Sequence, residues 1–327
     1  MKFLIKFLRY SFCLFVLVSC RKKPAGRWDI QPKSLGEKVE ITDLSKEFYN
    51  PENSLENFKE KYPWFQGSVS DIDFLERKKD PEEIAIYREA IAKINLEKLS
   101  TDLSDLFSRV RYYFPKFTPP KVFLYSSALQ GLLDPVFYKS DKNYLFIDIS
   151  AFMGEKSKYY EGIERYIKKN LNVENLLPKT ALIFAENIVP PTREHQKFID
   201  HILYQGKLMI LKDAFLPKIP DSVKIGYTPK QYEWAVANEP NIWDFFIEND
   251  LLFSDDSRLE ERFIMPGPFS KFYTEIDNES SPQLGVFIGW QISKNFLEKY
   301  PEVSLQDFLR MSAKEIFQKS KYSPKFE

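Results

Sequence analysis

The chain has 327 residues, which is enough for one large domain or two small ones. Its hydrophobic content of 43% and charged content of 29% are ordinary for a folded domain, and an aromatic content of 16% predicts an aromatic core and an aromatic contact surface. Removal of residues 1–19 takes away three cations and no acid, which leaves 44 basic and 47 acidic residues, a net charge of −3. That balance argues against a nucleic-acid partner, which would need a basic surface.

The start of the chain carries the clearest signal. Three cations precede a short apolar run at 12–18, which is too short to cross a membrane and is typical of a secretory signal. Ser19 and Cys20 complete a bacterial lipobox pattern. We therefore predict a signal peptide at 1–19, lipid attachment at Cys20, and a location in the bacterial cell envelope, anchored to a membrane and facing the periplasm. The alternative is an ordinary signal peptide with a chance cysteine.

Cysteine and histidine are too scarce for a site built on them. Cys13 leaves with the signal peptide and Cys20 would carry lipid, so the mature chain has no pair of cysteines for an internal disulfide. His195 and His201 are six residues apart, about 120° around a helix, and do not form the i, i+4 pair that chelates a metal. We interpret both as surface or partly buried structural side chains and expect neither a metal nor a cofactor.

The first half of the chain begins with a predicted tether at 20–37, because lysine, glycine and proline are frequent there. A strand is predicted near 39–41 and a short helix at 54–61. Asp80 and Pro81 begin a longer helix, since an aspartate cap followed by proline favours a helix start. The next helix carries an apolar stripe that we expect in the core: Leu99, Leu103, Leu106, Val110 and Tyr113.

A β region follows. Branched and aromatic residues predict strands at 121–125, 136–138 and 144–149, separated by turn residues. We expect them to form a small, mostly antiparallel sheet. The predicted fold class is α+β, predominantly helical, in a single domain at 38–327.

From residue 162 onward the chain is predicted to be helical again. Thr228 has the sequence of a capping box. A long helix is predicted over 284–300, where Gly285 and Gly289 allow close packing. Two further helix starts are predicted at Ser304 and Ser312.

Two helical segments have the layout of a zinc-peptidase site. Residues 179–189 predict an apolar helix with one carboxylate, Glu186, and Gln205 lies where we expect the next helix to begin. The positions at which such a motif places metal ligands hold Ala185, Val189 and Gln205. Alkyl groups offer zinc no lone pair and an amide is a poor ligand. We therefore predict a zincin-like scaffold that binds no metal.

Glu186 admits two interpretations. If buried, it would have a raised pKa and could act as a general base. If exposed, it would share a solvated helix face with Lys179, which is the interpretation that composition favours. The chain has no Gly-x-Ser-x-Gly elbow, no P-loop and no Gly-x-Gly-x-x-Gly motif.

The stretch from 265 to 282 is the longest without helical periodicity in this part of the chain. Loops of this kind often carry contacts, although a packed connector is an equal alternative. The residues that we predict to form a contact surface are Arg262, Phe269, Lys271, Asp277, Glu279 and Trp290.

Many short runs, in order along the chain, resemble the gliding motility lipoprotein GldB family of the Bacteroidetes. They include Val110-Arg-Tyr-Tyr-Phe-Pro115, Tyr159-Tyr-Glu-Gly-Ile163, Ile225-Gly-Tyr-Thr-Pro-Lys-Gln-Tyr-Glu-Trp234, Asn238-Glu-Pro-Asn-Ile-Trp243, Pro268-Phe-Ser-Lys-Phe272, Asp277-Asn-Glu-Ser280 and Ile288-Gly-Trp-Gln-Ile292. This resemblance implies a role in surface gliding and in the associated type IX protein secretion. A weaker resemblance is to predicted zinc-dependent peptidases, whose His-Glu-x-x-His helix falls on 185–189, where only Glu186 of the chemical motif remains.

We therefore expect a non-catalytic envelope lipoprotein that acts by contacts with other gliding and secretion proteins, is held to a membrane by its lipid, and binds no nucleic acid. The first alternative is an enzyme, a hydrolase that uses Glu186 with or without a metal. A second alternative is a ligand-binding receptor, which a deep, empty apolar pocket would favour.

Overall fold

The computed structural model describes residues 26–191, 197–275 and 277–326. The predicted signal peptide, Cys20 and His195 lie outside the described residues. Helix accounts for 54% of the structure and a single four-stranded sheet supplies the strands, which confirms the α+β class. None of the helices in the described ranges has the length and apolar character needed to span a membrane.

The described part of the predicted tether lies against the domain. The guanidinium of Arg27 donates hydrogen bonds to the carbonyls of Leu297 and Pro301, each at 3.2 Å, and Trp28 packs edge-on against Tyr113 at 6.2 Å between ring centroids. The chain from residue 26 onward is therefore in contact with the domain, because Arg27 supplies donors to carbonyls in the last turn of the helix at 284–299 and just after it.

Five helices separate the first two strands. In chain order, these two strands and the five helices are β1 Ile41–Asp43, α1 Leu44–Phe48, α2 Leu55–Lys61, α3 Asp71–Lys79, α4 Pro81–Lys93, α5 Leu96–Tyr113 and β2 Lys121–Tyr125. The predicted cap is confirmed, because the Asp80 carboxylate accepts the backbone N–H groups of Glu82 and Glu83 at 2.8 Å. All five residues of the predicted stripe on α5 are buried, so this helix faces the core as expected.

The sheet is mixed and mostly parallel. Two further strands complete it, β3 Val136–Lys139 and β4 Tyr144–Asp148, and the strand order is β1-β2-β4-β3. The pairs β1–β2 and β2–β4 are parallel, and only the edge hairpin β3–β4 is antiparallel. The predicted antiparallel sheet is therefore wrong, although its strand positions are confirmed. After β2 the chain crosses to the edge position of β3, and the β3–β4 hairpin then places β4 between β2 and β3. In this arrangement β4 runs parallel to β2.

The two faces of the sheet bury different clusters. Alternation along β2 and β4 turns Leu124 and Ile147 towards the main core, while Phe123 and Phe146 face α1–α3 in a second, aromatic cluster. One face of this sheet therefore supports the large helical half, and the other supports a small helical cap.

The C-terminal half is helical. Its helices are α6 Arg165–Lys168, α7 Leu176–Ile188, α8 Phe198–Phe215, α9 Asp221–Ile225, α10 Pro229–Ala237, α11 Glu239–Glu248, α12 Arg258–Phe263, α13 Leu284–Lys299, α14 Leu305–Arg310 and α15 Ala313–Ser320. Four short 3₁₀ turns lie at Ile149–Phe152, Lys158–Tyr160, Val173–Asn175 and Asp277–Glu279. The capping box at Thr228 and the caps at Ser304 and Ser312 form as predicted.

Helices α8 and α13 pack with their backbones in direct contact. A Cβ atom on Gly289 would lie 1.7 Å from the carbonyl oxygen of Ile202, and one on Gly206 would lie 2.2 Å from the carbonyl oxygen of Gly289. Only hydrogen atoms fit at such distances, so these glycines allow the backbones to touch. This confirms the close packing predicted at Gly289 and adds Gly206 as its partner.

Candidate functional site

Residues 179–188, which resemble the metal-binding helix of a zinc peptidase, lie in α7, and this helix packs against α8. Ala185 is fully buried, Glu186 is exposed, and Val189 is the C-cap residue that follows the last residue of the helix. The exposed position of Glu186 agrees with the interpretation that composition favoured, but Lys179 does not share a solvated face with it, because Lys179 is partly buried and its desolvation lowers the pKa of its ammonium group.

Gln205 does not stand at a helix start. It lies well inside α8, which begins at Phe198 because the side chain of Asp200 accepts the backbone N–H of Lys197 at 2.9 Å. The predicted layout, with a second helix beginning at the Gln205–Gly206 step, is therefore wrong. Gly206 serves the contact with α13 instead.

Among the residues that the structure describes, no three His, Cys, Asp or Glu side chains converge in a way that could hold a metal ion. His201 is partly buried, with Nδ1 3.6 Å from a carboxylate oxygen of Glu260. This agrees with its interpretation as a structural side chain.

The surroundings of Glu186 shift its acidity. Partial desolvation by the protein on one side raises the pKa of the Glu186 carboxyl, and Asp134 adds to the rise, while Lys212 opposes it. Because the side chain is still exposed to water, solvent screening limits this effect. The group therefore has one property of a general base, a raised pKa, but not the buried position that a base usually has.

A charged cluster lies between α8, α9 and α13. The Lys224 ammonium lies 2.5 Å from a carboxylate oxygen of Asp213 and 2.9 Å from one of Asp221. The Trp290 indole N–H donates to the other oxygen of Asp213 at 2.7 Å, and the Lys294 ammonium lies 2.7 Å from Asp221 and 3.7 Å from the centre of the Trp290 ring. Every polar atom named here has a partner, so the cluster fixes the three helices relative to one another.

Lys212 is the most unusual charge of this region. Its side chain is buried, and its ammonium donates to the backbone carbonyl of Lys224. Burial, reinforced by the nearby cations Lys179 and Lys224, lowers the pKa of Lys212 to about 7. Lys224 differs, because Asp213 and Asp221 offset its burial and hold its pKa above the usual value.

Sequence reasoning missed this cluster. A signal existed, because Lys212 and Asp213 interrupt the apolar run of α8, and charged residues in such a run are seldom buried without a partner. Their partners on α9 and α13 are 11 and 77 residues away, so only the tertiary structure could supply them.

The predicted contact surface is only partly a surface. Trp290 is fully buried and belongs to the charged cluster, so its prediction as a contact residue is wrong. The reason is that its indole satisfies the buried carboxylate of Asp213. Phe269, Lys271 and Asp277 are half-buried and Glu279 is exposed.

The loop between α12 and α13 is held by its own hydrogen bonds. The Asp277 carboxylate accepts the backbone N–H groups of Phe272, Tyr273 and Thr274 at 2.9–3.1 Å. The guanidinium of Arg262 donates to the carbonyl of Lys271 at 2.8 Å and stacks over the Tyr273 ring at 4.4 Å. Arg262 and Asp277 therefore shape the loop, and the exposed side chains of Met265, Tyr273 and Glu279 remain on its outside.

The molecule is thus an α+β protein with a buried charged cluster and a structured loop beside it. A family model for gliding motility protein GldB matches residues 26–324. The chain therefore belongs to the GldB family of gliding motility lipoproteins, as the sequence resemblance implied. A search of curated proteins and a search of solved structures each give no match.

Proposed function

We propose that this protein is a non-catalytic, lipid-anchored component of the cell envelope that supports gliding motility and the associated type IX secretion by contacts with other envelope proteins. Membership of the GldB family supports the role in motility. The observation that supports contact rather than catalysis is the region around Glu186. Its carboxylate is exposed, and alkyl side chains stand at 185 and 189 where a peptidase would have ligands.

The loop between α12 and α13 supplies the surface for this proposal. Asp277 and Arg262 hold its backbone in one shape, so a partner would meet a surface that is already ordered. Met265, 54% exposed, and Glu279 stand on the outside of the loop. An apolar side chain of this size in contact with water is a reasonable anchor for a protein partner.

Replacement of Glu186 by Gln separates the two classes of mechanism. The amide keeps the shape but cannot accept a proton as a general base, so an enzyme should lose activity by about a hundredfold or more. We expect cells carrying Glu186→Gln to glide and secrete as the wild type does. Colony spreading and single-cell gliding speed are the measurements, and loss of motility at normal protein levels would establish the hydrolase alternative instead.

Changes to the loop surface test the contact itself. We expect Met265→Asp combined with Glu279→Lys to reduce gliding strongly, because both side chains are exposed and their replacement alters the surface without touching the core. A matched control is Ile72→Asp with Glu76→Lys on α3, where Ile72 is 70% exposed. Equal gliding in both variants, at equal protein levels, would show that this loop is not the contact surface.

A further inference from the structure

A cavity of about 330 Å³ lies on the outer face of the sheet, between the strands and the helical cap α1–α3. It is open on one side, and its walls belong to the second aromatic cluster rather than to the α7–α8 region. Its volume falls at the lower end of the range of about 300–1,000 Å³ that is usual for small-molecule sites.

Half of the residues that line the wall are aromatic. Phe48 and Phe65 contribute from the cap, and Phe137 and Phe146 contribute from the sheet, where their rings stack at 4.6 Å between centroids. Phe137 is 44% exposed although it belongs to this stack. An apolar ligand body placed against these rings would remove apolar surface from water, at about 25 cal/mol per Å².

Two buried serines of the wall stand at the carboxyl ends of the parallel strands. Ser126 follows β2, and its backbone N–H donates to the hydroxyl of Ser45, which follows β1, at 2.8 Å. Gln66 and Gln130 also line the cavity. Ser45 and Ser126 are buried and lie at the opposite edge of the sheet from Lys139, which pairs with the first residue of β4 because β3 runs antiparallel to it.

The charges that line the cavity are all positive. Arg77, Lys139 and Lys142 line it, and none of its described lining residues is acidic. Arg77 is neutralised by Glu83, at 2.9 Å, which lies outside the wall. Lys139 and Lys142 are exposed at the opening, and in the described part of the chain no carboxylate lies within 4 Å of either ammonium group.

From this combination we propose that the cavity binds a small amphipathic anion, with an apolar body against the rings and one carboxylate or similar head group near Lys139 and Lys142. The apolar walls select a hydrocarbon or aromatic body, and the two uncompensated lysines select the negative sign. This inference is independent of the proposed protein contacts, which involve a different surface.

Octanoate is a suitable probe, with octan-1-ol and octyltrimethylammonium as probes of the same length but different charge. The full chain in lipid nanodiscs is titrated by calorimetry, with empty nanodiscs as background. We expect saturable one-to-one binding of octanoate, about tenfold or more tighter than of either control probe. No saturable binding, or equal binding of the three probes, would contradict the proposal.

Two variants locate the binding. We expect Lys139→Glu combined with Lys142→Glu to weaken octanoate binding about tenfold or more, while Lys116→Glu with Lys156→Glu, two exposed lysines outside the cavity, leaves it unchanged. Val69→Trp is expected to fill the cavity and abolish binding, with circular dichroism to show that the fold is kept. Octanoate binding that survives Val69→Trp would overturn the inference. A photocrosslinking group placed at position 137 provides a second test, and capture of a polypeptide alone, with no small molecule, would also overturn the inference.

Discussion

Lys212 shows how a single residue couples the fold to pH. Its folded-state pKa of about 7 lies below the ordinary value of 10.5, because burial disfavours the charged form. Between these two values the unfolded chain holds more protons than the folded chain, so the free energy of unfolding rises with pH across this window. The unfavourable contribution is fully present below about pH 7 and disappears as the pH approaches the unfolded value.

We therefore expect wild-type protein to gain stability from about pH 7 to about pH 10, by at most about 1.4 kcal/mol per pH unit from this group. Lys212→Met should lack that gain, since it has no proton to lose. Urea unfolding across the pH range, with Lys230→Met as an exposed control, measures the difference in slope. Identical slopes for wild type and Lys212→Met would show that Lys212 is not a neutral buried amine in the folded state.

At the scale of elements, the contact between α8 and α13 depends on two glycines. Gly289→Ala would place a Cβ atom 1.7 Å from the backbone oxygen of Ile202, and this backbone cannot move without separating the helices. We expect a loss of stability of about 3 kcal/mol or more, at the upper end of the usual cost of overpacking. Thermal unfolding is the measurement.

Gly267→Ala is the matched control for that change. It makes the same substitution in the loop, where the nearest atom to the new Cβ would be 3.5 Å away, an ordinary contact. We expect a change of less than about 0.5 kcal/mol. A similar loss in both variants would mean that Gly289 contributes through backbone flexibility rather than through the close approach of the helices.

The sheet illustrates which features of an element a sequence reveals. Strand positions followed from branched and aromatic residues and were confirmed at β2, β3 and β4. The relative direction of the strands did not follow from the sequence, because the residue pattern along one strand does not specify which strand lies beside it. The apolar runs 122–124 and 145–147 did contain a hint, since strands covered on both faces are typical of parallel sheets.

At the scale of the whole molecule, the lipid anchor remains a prediction. We expect wild-type protein to incorporate labelled palmitate and to sediment with membranes, because the acyl chains of a bacterial lipoprotein hold it firmly. Cys20→Ala should abolish the label. Equal labelling of the variant would place the lipid elsewhere or reduce the lipobox to a chance match, and the family match from residue 26 onward would be unaffected.

The sequence alone determined the features that depend on local chemistry. These are the helix caps at Asp80, Thr228, Ser304 and Ser312, the buried stripe of α5, the strand positions and the family. Each depends on residues a few positions apart or on ordered short motifs, so no knowledge of distant neighbours was needed.

The tertiary structure alone decided what depends on distant neighbours. It made the sheet mostly parallel, buried Trp290 against Asp213, placed Gln205 inside a helix, and assembled the cationic aromatic cavity from α1–α3 and the sheet. The physical reason is that burial and pairing are properties of two surfaces in contact. A residue's own type and spacing describe only one of them.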